Sequence, residues 1–176
     1  VQPGVVQANS TPVEGLLDLG RYPAGGVGAD DVTAEAIAAA FRSAGFVSEV
    51  RPDIVRWKAA KLLLNLANAV DAVCGLEGAG GELFARIQEE GRRCLDAAGI
   101  DHVSEEEDAA RRGDLIRLRP IDGQRRVGSS GRQSLARQAG AIEADYLNGE
   151  IVLLGRLHGV PTPVNAAVVE VAHRIE

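Results

Sequence analysis

Residues 51–75 read RPDIVRWKAAKLLLNLANAVDAVCG. From Val55 the apolar positions Val55, Ala59, Leu62, Leu66, Ala69 and Val73 alternate spacings of four and three, the pattern of one buried stripe on an α-helix. Pro52 suits the first turn, where its missing N–H costs nothing, and Gly75 suits the C-terminal cap. Each helical residue advances ~100°, so Lys61, Asn65 and Asn68 fall in a second stripe beside the apolar one. Two readings of that stripe stand. Lys61 snorkels from the edge of a core while the asparagines are solvated, or the stripe lines a cleft in which an ammonium meets an anion or developing alkoxide and carboxamides orient a substrate.

A chain of 176 residues can bury one good core. Aromatic residues make up only 3%, so Ala, Leu, Val and Ile must fill that core, which favours packed helices over an all-β sandwich. A formal charge of −6 argues against nucleic-acid and anionic-membrane surfaces. No uncharged apolar run is long enough to span a membrane and no leader pattern is visible, so no membrane partner is expected. The two cysteines, Cys74 and Cys94, lack metal-site or disulfide-framework spacing and read as small core residues of a reducing, cytoplasmic protein. There is no methionine and the sequence begins at Val1, which points to a fragment, a processed form or a natural truncation.

N-terminal to the central stretch, residues 1–51 have the punctuation of an α/β unit. Residues 4–8, 16–19 and 46–50 are short strand candidates, with a turn at 9–12. Asp30 or Asp31 can cap a helix through Ile37, Ala40, Phe41 and Ala44 to Gly45. The glycine clusters at 25–28 and 78–81 complete no phosphate-binding motif and read as turns.

On the C-terminal side, 82–98 reads as a helix with Leu83, Ile87, Cys94 and Leu95 inward and Gly99 closing it. Ser104 to Glu107 fits a capping box for a short charged helix. Residues 111–137 carry eight arginines without an aromatic among them, so they read as a solvated or anion-lining loop, not a nucleic-acid patch. Residues 141–158 are apolar on more than one face, which predicts a central helix packed on several sides, or one that self-associates. Glu143 and Asp145 lie at its N-terminal end, where the dipole alone favours carboxylates. Pro163 can open a last helix with the stripe Val164, Val168, Val171 and Ile175. His102, His158 and His173 read as caps or surface residues, and no metal is expected.

The segments WKAAKLLLN at 57–65, QSLAR at 133–137 and above all IEADYLNGEIVLLGRLHGVPTPVN at 142–165 resemble the C-terminal part of the ketopantoate reductase (2-dehydropantoate 2-reductase) family. The resemblance implies a mainly α fold. A helical substrate-binding and catalytic domain of the 6-phosphogluconate dehydrogenase C-terminal type would cover 52–176, preceded at 1–51 by the trailing part of a Rossmann-type dinucleotide domain. It implies an NADPH-dependent oxidoreductase of pantothenate and coenzyme A biosynthesis that reduces a small 2-keto acid, expected as a homodimer. The family's glycine-rich cofactor loop is not on this chain. The catalytic lysine corresponds to Lys61, and the first substrate asparagine to Asn65. The family's second asparagine falls at Ala69 here, with Asn68 one residue before it. The substrate serine corresponds to Ser130, with Ser129 as the neighbouring choice. Glu143 corresponds to the glutamate that contacts cofactor and substrate hydroxyl. The alternative is a catalytically incomplete chain that serves only as a helical dimerisation or binding module.

Overall fold

The structure, a computed structural model, describes residues 10–22, 31–74, 81–120 and 143–175. The chain divides into two compact units, Val1–Trp57 with Val103–Arg126 and Lys58–His102 with Val127–Glu176.

In the first unit, the segments around Leu16–Leu19 and Val47–Val50 run parallel, Leu16 paired with Val47 and Leu19 with Val50. The Val47 N–H donates to Gly15, Leu17 to Val47, Leu19 to Glu49 and Arg51 to Leu19, at 2.8–3.1 Å. Parallel partners cannot be joined by a hairpin and need a crossover, here helix α1 (Val32–Ser43). Asp31 caps it as expected, its side chain accepting from the Ala34 N–H. The buried face is Ala34 and Ala38 with Phe41 half-buried, whereas Ile37 is 43% exposed. Two small alanines let the helix approach closely, and the Phe41 ring meets Phe46 edge-on at 6.2 Å.

The expected turn at 9–12 contains a strand instead. Strand β1 (Ser10–Pro12) pairs antiparallel with Ile116–Leu118, in the basic segment read as a loop. Between them in sequence, helix α5 (Glu105–Arg112) begins in the predicted capping box: Ser104 Oγ accepts from the Glu107 N–H at 3.1 Å and Glu107 accepts from the Ser104 N–H at 2.8 Å. Arg111 on α5 donates twice to Asp18, at 2.7 and 3.0 Å, and Arg51 donates to the same carboxylate at 2.8 Å. Burial pushes the Asp18 carboxyl up, but the Arg111 and Arg51 hydrogen bonds and the Glu49 N–H outweigh it and hold it below its ordinary value.

The expected single helix over 51–75 is two helices, α2 (Ile54–Asn65) and α3 (Ala67–Cys74), with Pro52 in the preceding turn and residue 75 outside the described residues. The Leu66 N–H still reaches the Leu62 carbonyl at 3.1 Å. The next carbonyl, Leu63, accepts instead from the Gln88 side chain at 3.5 Å, on helix α4 (Glu82–Ala97). A side chain inserted into the ladder breaks a helix. The buried stripe is Ala59, Leu63, Leu66, Ala69 and Val70, with Leu63 in place of Leu62, which is partly buried.

Helix α4 buries Ile87, Cys94 and Leu95 as expected, together with Glu90 and Gly91; Leu83 is 36% exposed. Gly91 stands where α4 meets the break, since a Cβ there would lie 2.7 Å from Leu63 Cδ2 and 3.2 Å from Leu66 Cδ1. Turns occupy 143–147 and helix α6 begins only at Asn148 (Asn148–His158). Among the described residues it is packed on one face, through Asn148, Ile151 and Gly155, and Leu153 and Leu157 are exposed. Gly159 ends it in the left-handed region that favours glycine, at φ 70°. Pro163 opens helix α7 (Pro163–Ile175) as predicted, but its buried stripe is Asn165, Val168 and Ala172, with Val171 and Ile175 exposed. Helices α4, α6 and α7 pack mutually, α3 packs on α7, and one buried cluster joins all of them to α2.

Candidate functional site

Lys61 and Asn65 lie four residues apart on α2, so their side chains share one face. Lys61 is exposed and Asn65 half-buried. Asn68, also half-buried, lies beyond the break on α3, so the expected three-residue stripe is divided between two helices. Glu143 is exposed at the start of the turn 143–147, ahead of α6 instead of on it. Ser129 and Ser130 lie outside the described residues, as do the glycine cluster at 25–28 and most of that at 78–81.

The structure brings the lysine helix and the glutamate turn to one core. Ala59 and Leu63, which flank Lys61, share a buried cluster with Ala144, which follows Glu143. The available chemistry is an exposed ammonium, an exposed carboxylate and a carboxamide beside the ammonium. Such groups suit an anionic ligand that carries a polar oxygen, and they suit the hydroxyls of a nucleotide.

Sequence reasoning missed a buried polar chain in the helical unit. Glu90, Asn148 and Asn165 are nearly or wholly buried and hydrogen-bonded to one another in series. The signal was present in the α4 pattern, because Glu90 lies three residues after Ile87 and beside Gly91 on the inward stripe. His173 pairs with Asp145 at 2.8 Å, His158 is exposed in the last turn of α6, and His102 is half-buried. Cys94 is buried and free, with its thiol pushed up by burial and by Glu90 nearby. Along α4 runs an open groove of about 660 Å³ lined by Glu82, Arg86, Glu89, Arg93, Pro161 and Pro163 among others, but by none of the expected site residues. Among the described residues no group of His, Cys, Asp or Glu could hold a metal ion, and no helix is long and apolar enough to cross a membrane.

Residues 53–176 match the family model described as the ketopantoate reductase PanE/ApbA C-terminal domain. The chain belongs to the ketopantoate reductase family. Its fold is the helical domain of that family, and Lys61, Asn65, Asn68 and Glu143 all lie within the matched range. A similar solved structure is a PanE/ApbA family ketopantoate reductase from Ralstonia eutropha JMP134, 28% identical with a TM-score of 0.63, over 92% of this chain and 51% of that one. The 2-dehydropantoate 2-reductase of Methylococcus capsulatus is 20% identical with a TM-score of 0.65, over 91% of this chain and 54% of that one. D-mandelate dehydrogenase, solved with NADH and anilino(oxo)acetate, shares the fold at 19% identity and a TM-score of 0.69, over 91% of this chain and 52% of that one. The chain thus spans about half the length of these structures. No curated protein matches it at a significant level.

Proposed function

We propose that the protein carrying this chain reduces a small branched 2-keto acid, ketopantoate, at the expense of NADPH, with Lys61 as general acid. The observation that carries the reading is the exposed Lys61–Asn65 pair on α2 inside a ketopantoate reductase domain. The hydride is the contribution of the bound nicotinamide. Lys61 holds a proton on Nζ, steadies the negative charge that builds on the ketone oxygen, and then delivers the proton to it. Asn65 orients the substrate, with Asn68 and Ser130 as further binding residues. Glu143 accepts from the substrate hydroxyl or from Lys61 and contacts the cofactor. The protein works in the cytoplasm as a homodimer, whose formation sedimentation would measure. The alternative of a module for binding or dimerisation alone is not favoured, because the family match runs through the segments that supply these residues.

The test is NADPH oxidation dependent on ketopantoate, compared between wild type and Lys61→Ala. The variant should lose ~10²- to 10⁴-fold in turnover and keep its helical signal and melting temperature, because Lys61 is exposed. Near-normal turnover in the variant sinks the role of Lys61. A wild-type protein that reduces no 2-keto acid sinks the reading as a whole.

A further inference from the structure

Glu90 is a buried charge with no part in that mechanism. It is 4% exposed in the middle of α4, where a carboxylate without partners would be costly. One oxygen accepts from the Val164 N–H at 3.0 Å. The other accepts from the Asn165 N–H at 2.9 Å and from Asn165 Nδ2 at 2.8 Å. The carboxylate therefore sits on the first turn of α7, where unsatisfied N–H groups and the helix dipole favour an anion. Asn165 passes the connection on. Its Nδ2 also donates to the Ile87 carbonyl at 3.1 Å, and its Oδ1 accepts from Asn148 Nδ2 at 3.0 Å. Asn148 directly follows the turn 143–147 that begins with Glu143. That turn is tied to α7 a second time by Asp145 and His173, and Ala144 anchors it in the core.

We propose that Glu90 is a positioning residue: through Asn165 and Asn148 its carboxylate fixes the 143–147 turn and so orients Glu143. The inference rests on the role given to Glu143 above. Glutamine cannot replace this group, although it has nearly the same shape. All three of its partners are donors, and a carboxamide would set an NH₂ against at least one of them.

The test that needs neither ligand nor turnover is amide hydrogen exchange on wild type and Glu90→Gln. The Leu147 N–H donates to the Glu143 carbonyl and the Gly149 N–H to the Ala144 carbonyl, so these two amides report the turn. Both should exchange roughly tenfold faster or more in the variant, together with Val164 and Asn165, measured against the Ala98 amide at the end of α4. Acceleration confined to Val164 and Asn165 would make Glu90 a cap for α7 alone and overturn the proposal. Should Glu90→Gln not fold, Asn148→Ala decides, because it cuts the link and spares the carboxylate. Leu147 and Gly149 should then exchange faster while Val164 stays protected, and a turn that remains protected overturns the proposal.

A kinetic cycle in the active reductase adds a readout that general loosening would not give. Glu90→Gln combined with Glu143→Gln should cost no more turnover than Glu143→Gln alone, because the first acts through the second. Losses that multiply overturn the proposal. If Glu143→Gln leaves turnover unchanged, the fault lies with the proposed role of Glu143, and the exchange result still decides whether Glu90 holds the turn.

Discussion

Lys61 and Glu90 show how burial separates a side chain free to act from one already committed. The ammonium of Lys61 is exposed on α2, whereas the carboxylate of Glu90 is 4% exposed and accepts three hydrogen bonds within the helical unit. A general acid must give up its proton, and this separates lysine from arginine, whose guanidinium stays charged throughout the working range. Lys61→Arg should therefore keep the fold and much of the attraction for a carboxylate substrate, yet lose turnover by ~10²-fold or more, as Ala does. Measured kcat and substrate affinity separate the two effects, and an arginine variant with normal kcat would reduce the role of Lys61 to anion binding. A helical spacing and a family segment coincide on Lys61 and Asn65, and the structure places both on α2. Glu90 was passed over although its spacing from Ile87 puts it on the inward stripe, because an acidic residue in a charged helix reads as solvated. Its partner Asn165, and Asn148 beyond it, come from segments more than fifty residues away, and no local pattern pairs them.

At the scale of the element, the break between α2 and α3 shows what local sequence cannot hold. Nothing in KLLLNLANAV stops a helix, and the apolar spacing runs straight through it. The interruption belongs to α4, whose Gln88 takes the Leu63 carbonyl and whose Gly91 lets the two backbones close in. Gly91→Ala would place a methyl 2.7 Å from Leu63 Cδ2 and 3.2 Å from Leu66 Cδ1. The leucine ends can yield, so overpacking should cost about 1–3 kcal/mol, offset in part by the better helix propensity of alanine. Denaturant unfolding followed by helical signal checks this. A variant as stable as wild type would mean that α4 and the break do not press on each other. The same reasoning explains the shifted stripe of α7. Sequence periodicity favoured Val164, Val168, Val171 and Ile175, but the requirement to satisfy Glu90 turns Asn165 inward and carries Val171 and Ile175 out. Asp31, Ser104 and Pro163 start helices and Gly159 stops one as their chemistry predicts, whereas the helix expected from 141 begins only at Asn148.

At the scale of the whole chain, the first unit is assembled from two separate stretches, and Asp18 is where they meet. Its side chain is 7% exposed and is gripped by Arg51 from one stretch and Arg111 from the other. Sequence could not show this return, because residues 111–137 read as basic and loop-rich, and the pairing of Ser10–Pro12 with Ile116–Leu118 together with the Arg111–Asp18 contact gives the stretch its place. The Asp18 carboxyl is held below its ordinary value in the folded protein, net of the burial that opposes the shift. The sign follows by linkage. The contribution is fully present above the unfolded value of about 3.9, fades as pH falls through the depressed folded value, and is gone once both states are protonated. Trp57, the single tryptophan, belongs to this unit and carries the Arg51 guanidinium 4.2 Å from its ring centroid, so its fluorescence reports the unfolding of the unit. Wild type should begin to lose this contribution as pH falls below about 3.9. Asp18→Asn should be less stable than wild type near neutrality and should lose less on acidification, so that the two curves converge at low pH. Curves that stay parallel would show that Asp18 does not bind the two stretches, and would leave the strand pairing to hold them together.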